Sequence, residues 1–288
     1  MNETIYRSGG FALATLSLLV LAACSTGNGL VGEAGRPGEP GHDGASGSAG
    51  PSGAKGEAGA KGDGGAKGDT GAKGETGASA SEAAKNGLVA RYRGDGIDLS
   101  GNRKNATIVG DVFRVPDRFG NPDRAAWFDG SEDNYMIVSD HGLLPMGAAP
   151  RTVSAWFRTS ATYPIAGGIV NWGSNDVAKR FGLLVLDTTD YFVGQWADLP
   201  GTRYVTDDAW HNMVTVFDGK TVTVYVDAFY SVSGDVELDT TTNELVIGRS
   251  PLDHDPEPFT GAIDDVRVYD RVLSEEERGA IFSEGGWR

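Results

Sequence analysis

The chain has 288 residues, 25 Lys and Arg against 40 Asp and Glu, and a formal net charge of −15 at pH 7. From Asn86 onward 18 basic residues face 31 acidic ones, a net of −13, which repels phosphate backbones and excludes nucleic acid as a partner. A single Cys excludes an intrachain disulfide framework.

The first predicted element is a targeting segment over residues 1–23. Arg7 precedes an apolar run from Phe11 to Ala23, too short to span a bilayer, that ends in Leu21-Ala22-Ala23-Cys24. These four residues resemble a bacterial lipobox, which implies that Cys24 is acylated, becomes the mature N-terminus and holds the chain to a membrane through residues 24–28. Ser25 follows, with no Asp there, and resembles the default for outer-membrane sorting. The expectation is an exported, membrane-anchored lipoprotein at the outer membrane or cell surface of a bacterium.

Glycine then occupies every third position from Gly29 to Gly77, so residues 29–79 form consecutive Gly-X-Y triplets. Only glycine fits the crowded axis of a collagen triple helix, so this period predicts a triple-helical stalk and a homotrimer. A flexible linker has no reason to keep period three. The tract holds only three prolines, Pro37, Pro40 and Pro51. Lys55, Lys61, Lys67 and Lys73 are each followed by Gly and an acid (Glu57, Asp63, Asp69, Glu75), a pattern that resembles bacterial collagens, where such pairs bridge chains. At about 3 Å rise per residue the stalk is a rod of roughly 150 Å.

After a linker over 80–86 the composition turns aromatic and β-branched. Short apolar runs at 88–93, 135–138, 152–157, 181–186, 213–217, 222–226, 244–247 and 263–269, separated by Gly, Asp, Asn and Pro, predict an all-β sandwich over 87–288. One helix is predicted from Ser274, three residues before Glu277 as in a capping box, to about Phe282. Several motifs occur in order: Gly87-Leu-Val-Ala-Arg-Tyr92, Ala126-Trp-Phe-Asp-Gly-Ser131, Val153-Ser-Ala-Trp-Phe157, Trp210-His211, and Phe259-Thr-Gly-Ala-Ile-Asp-Asp-Val-Arg-Val-Tyr269. Together they resemble the LamG-like jelly rolls of the concanavalin A-like lectin/glucanase group. The resemblance implies a jelly-roll β-sandwich behind a collagen stalk, with first and last strands side by side.

The Glu-x-Asp-x-x-Glu strand of the group's glucanases is missing, the nearest approach being Glu237-Leu-Asp239, so the chain is not expected to be an enzyme. Resemblance to LamG-like domains implies a calcium ion, for which Asp95, Asp98, Asn102, Asp264 and Asp265 are the candidate ligands. The alternative is that these residues shape turns and that Asp264 pairs with Arg91 or Arg93. A weaker calcium candidate is the corner from Asp129 to Asp133. For a glycan, Trp172, Tyr191 and Trp196 supply rings, and Asp253 and His254 in a polar loop supply a rim. His211 is expected in or near the core. The functional expectation is a non-enzymatic adhesion protein whose trimeric stalk displays heads to a glycan or an extracellular protein. The alternative is a spacer whose heads register the trimer.

Overall fold

The computed structural model describes residues 85–139, 142–241, 244–251 and 256–284, without the side chains of 163–166. Cys24, the Gly-X-Y tract, Asp253 and His254 lie outside the described residues. Two antiparallel sheets face each other. Sheet A runs β13 (Phe229–Asp235), β12 (Thr221–Val226), β11 (Trp210–Phe217), β6 (Arg151–Arg158), β15 (Thr260–Tyr269), β4 (Ala125–Asp129) and β3 (Phe113–Val115), and β1 (Leu88–Tyr92) also pairs with β15. Sheet B runs β10 (Leu199–Tyr204), β9 (Thr189–Val193), β8 (Arg180–Asp187), β7 (Tyr163–Gly173), β14 (Glu244–Ile247), β5 (Tyr135–Ser139) and β2 (Thr107–Val109). The expected jelly-roll sandwich is the observed fold, and all eight predicted strands are present.

The first and last strands are adjacent, as expected: Leu88 lies opposite Tyr269 and Tyr92 opposite Val266. The first half of β15 pairs with β4 from Thr260 to Ile263, so β1 and β4 share one edge of that strand while β6 occupies the other. Between Asp264 and Arg267 the register with β6 slips by one residue, and Asp265 takes a left-handed φ of 49°. This bulge changes which face each side chain meets. Val266 and Val268 point into the core, while Asp264 lies opposite Trp156 and Arg267 opposite Ser154 on the outer face of sheet A.

Alternation places Val222, Val224 and Val226 of β12 inward and leaves Thr221, Thr223 and Tyr225 outward. Trp172 packs on Phe181 at 4.9 Å between ring centres, and Phe181 meets Phe192 edge-on at 5.0 Å. Arg151 is fully buried in the same region, where its guanidinium donates to the carbonyls of Pro145, Gly147 and Ala149 at 3.0, 2.6 and 2.9 Å. Without those acceptors a buried cation would cost several kcal/mol.

Helix α1 (Glu275–Ser283) begins at a complete capping box, the Ser274 hydroxyl accepting from the Glu277 backbone and the Glu277 carboxylate accepting from Ser274. It lies across the outer face of sheet A. Phe282 stacks on Trp156 at 5.6 Å with rings 11° apart, and Ile281 joins Leu273 and Tyr269 in a second small cluster. Burying one such ring contributes roughly 1.5–3 kcal/mol. Among the described residues no helix is long and apolar enough to cross a membrane.

Candidate functional site

The residues expected to hold calcium are placed against donors instead. Asp98 Oδ1 accepts from the Ser100 backbone at 2.9 Å and Oδ2 from Lys104 at 3.0 Å, while Asn102 Nδ2 donates to the Val89 carbonyl at 2.9 Å. Asp95 accepts from Ile97 at 3.1 Å. These groups fold the loop after β1 onto that strand. Asp265 meets Arg91 at 2.8 Å and Arg267 at 2.6 Å, and Asp264 meets Arg118 at 3.2 Å. Arg267 also pairs with Glu284 just past α1.

Guanidinium groups repel a cation, so Asp264 and Asp265 are engaged by arginines and are not open ligands. The ion-pair alternative is nearer, except that Arg91 pairs with Asp265 and Arg118 takes the place beside Asp264. In the Asp129 corner, Asp129 Oδ1 is satisfied by Ser131 N and Asn134 Nδ2, both at 2.9 Å. Among the described residues no group of three or more His, Cys, Asp or Glu is arranged to hold a metal. Burial raises Asp265, yet Arg267 and Arg91 outweigh it and hold its carboxyl far below the usual range. Burial pushes Asp264 up to about 7, helped by the like charge of Asp265 and opposed by Arg118 and Arg93.

The expected glycan residues do not converge either. Trp172 is 0% exposed in the core, so its ring is closed to a ligand and that expectation is corrected. Tyr191 lies on the outer face of sheet B with Leu184 and Val193, where burial and then Asp198 push its phenol up to about 12. Trp196 is 78% exposed. Strand alternation ends at Val193, because Gln195 and Trp196 adopt left-handed φ values of 60° and 65°. Trp196 therefore stands on a turn beyond the strand.

A cleft that the sequence did not announce opens on the outer face of sheet A. It encloses about 560 Å³ and is lined by Asn212, Val214, Tyr225 and Tyr230 on the strands and by Glu275, Glu276 and Arg278 on α1. Strand pairing sets Ser154, Val214, Tyr225 and Tyr230 in one row across β6, β11, β12 and β13. A bulge at Val224 and Tyr225 completes the row: it turns Ser231 inward, where its hydroxyl donates to Asp190 at 2.9 Å, and brings Tyr230 opposite Tyr225.

The two tyrosine rings meet edge-on at 6.5 Å, and the Arg278 guanidinium sits 4.2 Å from the Tyr225 ring centre while donating to the Leu273 carbonyl. Arg203 donates twice to the Tyr230 carbonyl, at 3.1 and 2.9 Å, fixing the outer strand. Tyr230 is 56% exposed, and neither phenol bonds another described residue. Asn212 gives its Nδ2 to Ser154 and Ala155, and its buried Oδ1 has no partner among the described residues. Two rings, two phenols, an amide oxygen and two carboxylates make a surface that stacks an apolar face and accepts hydroxyl protons. The one sequence signal is the alternation of Val222, Val224 and Val226, which leaves Tyr225 on the outward face.

Residues 129–277 match the family described as Laminin_G_3, concanavalin A-like lectin/glucanases superfamily, and residues 27–85 match the collagen triple helix repeat. Among solved structures, the binding domain of Paraclostridial Mosquitocidal Protein 1 is 18% identical with a TM-score of 0.57, over 70% of this chain and 53% of that one. Domain 4 of AbnA, a GH43 extracellular arabinanase from Geobacillus stearothermophilus in complex with arabinotriose, is 22% identical with a TM-score of 0.53, over 66% of this chain and 95% of that one. The botulinum neurotoxin serotype D ligand binding domain in complex with N-acetylneuraminic acid is 16% identical with a TM-score of 0.54, over 72% and 53%. The chain thus spans about half the length of the two toxin domains, and identities this low show the fold alone. No curated protein matches the chain.

Proposed function

Because the chain belongs to the concanavalin A-like lectin/glucanases superfamily and carries a collagen repeat, we propose that it is a non-enzymatic binding protein whose head takes a neutral glycan in the Tyr225–Tyr230 cleft. The observation that carries this reading is the cross-strand pair of unsatisfied tyrosines beside hydroxyl acceptors. Similar folds solved with arabinotriose and with N-acetylneuraminic acid support a sugar as ligand. Glu275 and Glu276 are consecutive on one helical turn, and Glu276 is held by the Ser274 hydroxyl at 2.8 Å, so they do not face each other across a bond as hydrolytic carboxylates do.

The collagen repeat joins three such heads, and avidity then multiplies a weak single contact where the partner offers sites within reach. Acylated Cys24 anchors the assembly at a bacterial outer membrane or cell surface. An array of neutral oligosaccharides probed with the purified full chain tests the reading. Wild type binds a subset, chelator leaves that binding unchanged, and Tyr230→Ala weakens it roughly tenfold or more, the loss of one stacked ring. Binding that survives Tyr230→Ala and Tyr225→Ala together overturns the cleft assignment. The trimer is tested separately. Gly56→Ala should lower a cooperative polyproline-II-type melt that Ala60→Ser leaves in place, and a chain that sediments as a monomer refutes it.

A further inference from the structure

A second pocket, of about 360 Å³, opens at the other end of the outer face of sheet A, where the loop between β3 and β4 meets the end of β1. Arg93, Arg118 and Arg124 line it together with Asp264 and the Phe119 ring. Three guanidiniums in one hollow are unexpected on a head whose charge is −13 from Asn86 onward.

Their placement is built into the backbone. Gly94 N donates to the Arg124 carbonyl at 2.7 Å, and a Cβ at Gly94 would stand 2.3 Å from the Ala125 backbone, so glycine is what lets the strands carrying Arg93 and Arg124 approach. Asp117 holds the opposite wall by accepting from Phe119 N and Asn121 N, both at 2.9 Å. The Arg118 guanidinium lies 4.4 Å from the Phe119 ring centre.

Two observations point to a ligand. Arg93 and Arg124 form no ion pair and no side-chain hydrogen bond among the described residues, although each is a bidentate donor. Asp264 is only 3% exposed, and its Oδ1 has no hydrogen-bond partner among them. A buried unpartnered oxygen is costly, and a ligand hydroxyl would supply its partner.

We infer that this pocket binds a carboxylate-bearing sugar of the uronic acid class, its carboxylate on Arg93 and Arg124 and a hydroxyl donating to Asp264. The carboxylate matches the guanidinium fork, and the Phe119 ring offers an apolar face to the pyranose. The groups facing Asp264 are Asp265 on its own strand, Arg118 and Asp117 on the loop, and Arg93 after β1. Asp264 accepts in its carboxylate form, so the site is complete above its transition at about 7, where Arg93, Arg118 and Arg124 outnumber Asp264 and Asp117 toward the ligand anion. A dianion such as phosphate is disfavoured because Asp117 and Asp264 share the pocket and Asp264 looks for a proton donor. This site does not rest on the tyrosine cleft.

Titration calorimetry of the purified full chain with D-glucuronate, D-glucose, acetate and inorganic phosphate tests it on the alkaline side of neutrality, where Asp264 is a carboxylate and phosphate a dianion. D-glucuronate should bind at least about tenfold more tightly than the other three, since glucose lacks the carboxylate, acetate the hydroxyls and phosphate the pyranose face. Arg124→Gln, an exposed position, should weaken glucuronate about tenfold, and Asp264→Asn should narrow the gap between glucuronate and acetate. Tyr230→Ala should leave glucuronate affinity unchanged, so failure of one site is distinguishable from failure of the other. Acetate or phosphate binding as tightly as glucuronate, or glucuronate binding that ignores Arg124→Gln, overturns the proposal.

Discussion

The two ends of the outer face of sheet A, spanned by a single helix, solve different problems. Around β1, β15 and the end of α1, Arg91, Arg118 and Arg267 are buried against Asp264, Asp265 and Glu284, and the charges fix strand and helix in place. Around β11, β12 and β13 the side chains are rings and hydroxyls with few internal partners. Buried charge on this face is committed to holding the fold, while exposed groups, the tyrosine rings at one end and the Arg93 and Arg124 guanidiniums at the other, are left for recognition. Substitutions should therefore separate into those that lower stability and those that lower binding.

The largest effect is expected for Asp265→Ala, which leaves Arg91 and Arg267 without their carboxylate and costs about 3–5 kcal/mol. At roughly 2–4 °C per kcal/mol for a domain of this size, the thermal midpoint should fall about 10 °C, equally in calcium and in chelator. A midpoint that calcium restores would return Asp265 to the role of metal ligand.

Next comes Phe282→Ala. Losing the stack on Trp156 should cost roughly 1–3 kcal/mol in a urea titration, and the freed helix should weaken the tyrosine cleft as well, because Arg278 reaches Tyr225 from the same helix. Unchanged stability would mean that α1 is held by its ion pairs alone.

The pH dependence sharpens the contrast further. Asp264 has a folded pKa raised from 3.8 to about 7, so the folded state binds the extra proton between those values and stability falls by up to about 1.4 kcal/mol per unit as pH rises through them. His211, bracketed by Asp227 at 2.7 Å and Asp207 at 2.9 Å, is raised despite burial. Its contribution is present below the ordinary histidine value and is lost as pH rises through the folded one. Asp265 acts oppositely: its stabilisation exists above the ordinary carboxylate value and is lost in strong acid. Denaturant melts across pH should show a maximum on the mildly acidic side, and Asp264→Asn should flatten the decline toward neutrality. A decline that persists unchanged in Asp264→Asn contradicts the burial argument.

The smallest stability change belongs to Tyr230→Ala, within about 0.5 kcal/mol for an exposed position, together with the largest loss of neutral-glycan binding. Should that variant melt as low as Asp265→Ala, the division between the two ends would fail.

What the sequence disclosed follows from which forces are local. Val222, Val224 and Val226 announce β12 because alternation is a nearest-neighbour property, and Ser274 with Glu277 announces α1 because both caps lie within one turn. β7 escaped notice because Pro164, Gly167 and Gly168 read as breakers, yet Gly168 is required where a Cβ would stand 2.6 Å from the Arg249 backbone. β10 and β13 escaped because they are polar edges with little buried surface. The site was harder. Strict alternation would set Asp264 on the face of Val266 and Val268, and a one-residue bulge puts it on the opposite one. Left-handed backbone at Gln195 and Trp196, which no residue pattern announces, takes the Trp196 ring off the strand. The guanidinium partner of Asp264 sits 146 residues away, beyond any local pattern.

The entry of the chain into the head has a mechanical meaning. Arg271 donates to the Asn86 carbonyl at 2.9 Å, Asp270 N donates to Gly87 O at 3.0 Å, and the five residues of β1 then run along β15 in the middle of sheet A. Tension arriving through residue 86 meets this clasp before it meets any strand, and passes into β15, which is itself braced by β4 and β6. A pull on the head is thereby shared across four strands, and a tethered ligand could be tugged without the first strand peeling away alone.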